Sequence, residues 1–250
     1  MTAPIPRDIP DLPAVPGMPR LLTSPVPATA VLTPVRRPLA ATLRTLTALL
    51  ALTGVTIELL TGGGPATSPL SHFTIQSSIL LTLVMLASAR RAWSARHPLP
   101  GSLTGAALLY VAAGGLVHHL LLADTASPFA VPDGTGTGWH TIAAHILNTA
   151  VPVAAALDWL LLTTPGRLHL RQAAAWLLYP LAYLAFSLAR GELLLPGTQD
   201  RYLYPFLDVD QHGYKGVLGN ALLLGLSLYA LGVLLVALDH IRPNPLRRRR

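Results

Sequence analysis

Residues 217–241 read VLGNALLLGLSLYALGVLLVALDHI, in which Asp239 is the one Asp, Glu, Lys or Arg. A hydrocarbon core of about 30 Å is crossed by roughly 20 residues of helix, and this run meets that length with almost no charge. Its Leu and Ala content favours helix over a barrel strand, which would alternate in segments of about ten residues. Five further runs of the same kind precede it, near 38–61, 72–89, 101–123, 139–163 and 171–195. The sequence therefore predicts an all-α polytopic membrane protein, a bundle of six transmembrane helices over 38–241. Composition points the same way, since 52% of the residues are hydrophobic and 12% charged, where a soluble domain carries about 25% charged residues. A soluble enzyme is excluded, and a chain with no cysteine has no disulfide, thiolate metal site or cysteine nucleophile.

The surplus of cations lies at the ends of the runs, which directs it to membrane topology and away from nucleic acid. Of the 18 Lys and Arg residues, fifteen obey one arrangement: Arg7, Arg20, Arg36, Arg37 and Arg44; Arg90, Arg91 and Arg96; Arg167 and Arg171; Arg242 and Arg247 to Arg250. Positive loops stay on the cytoplasmic side, so both termini are expected there, in an inner plasma membrane. Residues 1–37 carry Pro4, Pro6, Pro10, Pro13, Pro16, Pro19, Pro25, Pro27 and Pro34, which bars a regular helix and predicts a disordered tail. Residues 242–250 form a basic tail that anchors the topology and touches anionic lipid.

Polar groups gather at the opposite, outer ends. Glu58 closes helix one; His72, Thr74 and Gln76 open helix two; His118 and His119 close helix three. His140, His145 and Asn148 open helix four, Arg190 and Glu192 close helix five, and Asn220 stands near the start of helix six. Any one of them is readily an interfacial residue that snorkels to water. Together, because ionisable groups in hydrocarbon cost several kcal/mol, they suggest a polar cavity open to the outer leaflet. Arg44, Asp158 and Asp239 are the inner exceptions. His145 and Asn148 are three residues apart and share a helical face. Pro152 lacks the amide that would bond the Asn148 carbonyl, so a kink and a spare acceptor are expected there. Arg190 is suited to grip a carboxylate or phosphate in two-point fashion.

Tyr204-Pro205-Phe206-Leu207-Asp208, together with His72-Phe73-Thr74-Ile75-Gln76 at the opening of helix two, resembles the androgen-induced-protein family, which includes the androgen-dependent TFPI-regulating protein. Tyr179-Pro180-Leu181 and Arg190-Gly191 look like its bacterial branch, and the resemblance covers about residues 40–240. It implies a membrane hydrolase of fatty acid esters of hydroxy fatty acids, with a threonine nucleophile and a histidine base. Thr74 matches the threonine. Where the family has its histidine, one turn before a proline of helix four, this sequence has Asn148 before Pro152, and His145 lies one turn further out. Either His145 substitutes by reach or the base is lost.

In the implied reaction Thr74 attacks a lipid ester and His145 accepts and returns the proton. His72, Gln76, His118, Asn148, Arg190, Glu192, Tyr204 and Asp208 are the supporting or substrate-binding candidates. No cofactor and no metal are expected, and the partners are membrane lipids, fatty acid esters among them, with no nucleic acid. Three other classes stay open. A binding or transport protein without catalysis explains the same polar groups. A zinc hydrolase could use His72, His118, His140 and His145, without an H-E-x-x-H pattern to support it. A haem protein would need histidines on facing helices.

Overall fold

In a computed structural model, residues 35–61, 67–123, 126–129, 138–195, 198 and 201–243 are described. The proline-rich tail up to residue 34 and the arginine run from 247 lie outside them. The described chain is all-α, and six helices are long and apolar enough to cross a membrane: α1 Pro38–Thr61, α2 Phe73–Trp93, α3 Gly101–Leu122, α4 Gly138–Leu162, α5 Leu170–Leu193 and α6 Val209–Ile241. The protein is an integral membrane helical bundle.

The boundaries follow local chemistry. Pro38 opens α1, where its missing amide costs nothing. Helix α2 continues past the expected 72–89 to Trp93, because Arg90 and Arg91 suit the negative end of a helix. Helix α6 begins eight residues before the expected 217. Asp208 accepts from the amides of Asp210 and Gln211 and caps a first turn, after which Gly213 bends the chain at φ 63° and ψ 166°. A glycine alone takes that bend without strain.

Helix α3 stands between two packed groups. On one side Ala48 and Ala51 of α1, Leu81, Val84 and Met85 of α2, and Val151 and Ala155 of α4 close on Ala107, Leu108 and Val111. On the other, Leu109 and Tyr110 meet Ala173 and Trp176 of α5 and Leu228 and Val236 of α6. Small residues let the helices approach closely, as bundles without a hydrophobic drive between spans require. Hydroxyls inside the spans bond back to the preceding turn, Thr47 to Leu43 and Thr82 to Ser78 among them. Leucines such as Leu39, Leu49, Leu222 and Leu226 cover the exposed surface, where lipid tails lie.

The two ends of the bundle differ in chemistry. At the arginine end, Arg44 Nε donates to Asp158 Oδ1 at 2.8 Å. Asp239, only 1% exposed, accepts from the Arg167 and Leu168 amides, from Trp159 Nε1 and from Arg242. The Arg242 guanidinium also covers the Trp159 ring at 4.4 Å and donates to the Trp159 carbonyl. The three inner exceptions of the sequence are thus paired charges, the form in which buried ions are tolerated.

Candidate functional site

The opposite end is organised around the first turn of α2. His72 occupies its N-cap with an extended backbone and no side-chain cap bond, so the first amides of the helix have to find other acceptors. The Tyr204 phenol lies against this turn, beside the Phe73 and Thr74 amides, the Thr74 hydroxyl and the Tyr183 hydroxyl. Burial pushes the Tyr204 phenol well above the ordinary tyrosine range, with the Thr74 bonds opposing it. It is therefore a neutral O–H donor at physiological pH.

Tyr204 is delivered by the whole Tyr204–Asp208 segment. A 3₁₀ turn runs over Pro205–Leu207, Asn220 Nδ2 holds the Phe206 carbonyl at 3.0 Å, and Asp208 is fixed as the α6 cap. The Tyr204 ring lies flat on Phe206 with centroids 5.1 Å apart and meets the His72 ring edge-on at 5.9 Å. Beneath it, Tyr183 donates to the Ser71 carbonyl at 3.0 Å and Tyr179 to Gln76 Oε1 at 3.0 Å. Phe73 packs between Tyr179 and Tyr183, each centroid 5.3 Å away.

Across from Thr74, two glycines of α3 set the spacing. A Cβ on Gly114 would stand 3.6 Å from Thr74 Oγ1, and one on Gly115 would stand 2.6 Å from the Asn148 carbonyl oxygen and 3.2 Å from Pro152 Cγ. Thr74 of α2 and Asn148 of α4 thus reach α3 at adjacent positions. The expected disturbance at Pro152 takes the form of a π-helical turn over Ile146–Ala150, one of the causes to which helix irregularities trace. The freed carbonyl is covered by Gly115. Asn148 is nine-tenths buried; its Nδ2 donates to Ala144 at 3.0 Å, while Oδ1 is buried without a hydrogen-bond partner among the described residues.

The histidines are dispersed. His145 is exposed on α4, and no described hydrogen bond or ring contact joins it to Thr74. His119 Nε2 lies 2.9 Å from Thr149 Oγ1, tying a second π-helical turn, His118–Leu122 of α3, to the one in α4. His118 and His119 meet edge-on at 5.1 Å, and His140 lies 3.0 Å from Glu58 of α1. Among the described residues no three of His, Asp and Glu gather as a metal would need, so the zinc alternative has no ligand set there.

The remaining candidates secure the loop that carries Tyr204. Arg190 Nη1 donates to the Arg201 carbonyl at 3.2 Å, and Arg201 grips both oxygens of Asp210 at 2.8 Å. Glu192 Oε1 accepts from Tyr202 at 3.2 Å and Tyr214 at 2.7 Å. Gln76 uses its amide nitrogen on the Leu70 carbonyl at 3.1 Å as well as its oxygen on Tyr179. Among the described residues, Gln76, Arg190, Glu192 and Arg201 of this end are thus bonded to neighbouring tyrosines, a carboxylate or backbone carbonyls. The roles of Tyr179, which opens a motif quoted above, and of Tyr183, four residues on, are not legible in the sequence, and nothing there signals the π-helical turn at His118. No family model matches the chain, and no curated protein or solved structure matches it.

Proposed function

We propose that the protein is a lipid-ester hydrolase of the inner plasma membrane, both termini cytoplasmic, with Thr74 as nucleophile. The observation that carries this is the neutral phenol of Tyr204 set beside the Thr74 hydroxyl at the first turn of α2, a donor placed next to the proposed nucleophile. Donors fixed before the reaction are what a developing oxyanion needs, and one of them is typically worth about 3 kcal/mol. Thr74 Oγ attacks the ester carbonyl carbon and its proton passes to a histidine, which returns it to the departing alkoxide. Water then attacks the acyl-threonine, giving the acid and restoring the hydroxyl. His72, two residues before Thr74, has one ring nitrogen 3.2 Å from the Ser68 carbonyl and its ring edge-on to Tyr204, whereas His145 has no described contact with this turn, so His72 is the favoured proton acceptor.

A second reading, a lipid-binding protein without turnover, is favoured by Asn148, which presents a buried unpartnered carbonyl and no base. One experiment separates the two. Detergent-purified protein is incubated with a panel of fatty acid esters, wild type beside Thr74→Ala, His72→Ala and His145→Ala. Turnover lost in Thr74→Ala and His72→Ala, with His145→Ala much less affected, is the expected result. Turnover that survives Thr74→Ala removes the hydrolase reading, and ester binding without turnover in the wild type establishes the binding one.

A further inference from the structure

The arginine end holds a cavity of about 30 Å³ between α2, α3 and α4, lined by Arg44, Ser88, Asp158 and Arg167 among others. We infer that this cavity is a binding site for a phosphate group. A guanidinium carries five N–H donors. Arg44, 8% exposed, gives one of them, Nε, to Asp158. Arg167 gives Nη2 to the Leu99 carbonyl at 2.7 Å. No other protein acceptor is described for either side chain, so donors on both arginines that line the cavity remain available to a ligand. The Ser88 hydroxyl, in a residue 6% exposed, lines the same space with no described hydrogen bond.

The charge balance is unfilled as well. Arg37, Arg44, Arg167 and Arg242 form one electrostatic group with Asp158 and Asp239, four cations against two carboxylates. Asp158 is paired with Arg44 and Asp239 with Arg242, which leaves Arg37 and Arg167 held by the carbonyls of Leu162 and Leu99. Burial lowers the pKa of both; Arg44 adds to this at Arg37 with Asp158 opposing, and at Arg167 Asp239 opposes it while Arg44 adds a smaller lowering. An anion at the cavity offsets the repulsion from Arg44. Two-point binding by planar guanidinium groups selects an oxyanion, phosphate above all. A water needs at least roughly 10–15 Å³ of such space, so the cavity accepts about two oxygen-sized groups. Two oxygens of a phosphate fill it while the remainder stays at the mouth, the geometry of a phospholipid headgroup or of inorganic phosphate.

The test uses the full chain. Its thermal unfolding is followed in detergent with sodium phosphate against sodium chloride at equal ionic strength, and in nanodiscs of phosphatidylglycerol against phosphatidylcholine. At ten times Kd, binding at one site is expected to raise Tm by about 3–6 °C. A rise with inorganic phosphate alone identifies a free anion, and a rise with phosphatidylglycerol alone a headgroup; both support the site. Arg167→Gln is expected to weaken the response at least tenfold in Kd. Ser88→Val, which fills the cavity and leaves both arginines in place, is expected to do the same if Arg167→Gln does not fold. The inference is overturned if neither probe raises Tm, or if the rise is unchanged in Ser88→Val.

Discussion

Tyr204 shows how one side chain ties a loop to a helix terminus. Its oxygen lies beside helix amides that His72 leaves without a cap, and its ring fills the space between His72 and Phe206. Tyr204→Phe keeps the ring and removes the hydroxyl, so fold and function separate in this variant. It is expected to lower kcat by about 10²–10³-fold, as loss of one oxyanion donor does, and to cost about 1 kcal/mol of stability for the lost hydrogen bond. Steady-state rates and thermal unfolding of the same preparation check both. The phenol donates only while protonated, and burial raises its pKa. Its contribution is therefore complete at neutral pH and falls only as pH rises past the usual tyrosine value of about 10. A loss of rate below that pH belongs to another group.

Among the elements, the α3 glycine pair makes the sharpest prediction, because neighbouring positions differ in the room behind them. Gly115→Ala drives a methyl to 2.6 Å from the Asn148 carbonyl, where backbone has to move, and is expected to destabilise by roughly 1–3 kcal/mol. Gly114→Ala adds a methyl at ordinary van der Waals distance from Thr74 Oγ1 and is expected to fold normally while reducing ester turnover. Equal losses of Tm in the two variants would contradict the packing described. The helices themselves were legible because apolar length is a one-dimensional property: 38–61 and 101–123 match α1 and α3 within a residue. The α6 start was not, since Asp208 and Gly213 act through backbone geometry that hydropathy does not record. Pro152 announced an irregular α4. The π-helical turn it takes depends on Gly115 lying against it, a contact between distant parts of the chain.

For the whole molecule, the arginine distribution predicts one orientation, with both termini cytoplasmic. Because the chain has no cysteine, single cysteines report it without background. Ser94→Cys, between α2 and α3, and Thr198→Cys, between α5 and α6, are expected to react with an impermeant maleimide from opposite sides, Ser94→Cys from the cytoplasm. Reaction of both from one side contradicts a six-span bundle, and reversed sides contradict the assigned orientation. The site was legible at the level of residues and opaque at the level of geometry. His72 and Thr74 were selected from one segment and Tyr204 from another, and Tyr204 lies beside both. His145 was selected by helical spacing from Asn148, yet it is exposed, because the π-helical turn over Ile146–Ala150 changes the facing that regular spacing assumes.

The length of α2 has a consequence for how a substrate arrives. Its 21 residues rise about 32 Å at 1.5 Å each, close to the thickness of a hydrocarbon core. If that helix spans the core end to end, Thr74, second in it, is expected where acyl chains give way to headgroups, the level at which the ester bonds of membrane lipids lie. On the proposed function, a lipid drifting sideways within its leaflet would present its carbonyl at the height of Thr74 while its tails remain among their neighbours. Each methylene left in place avoids an extraction cost of about 0.8 kcal/mol, so a long-chain ester is no harder to admit than a short one, and chain length is left to be discriminated by the lateral route between the helices.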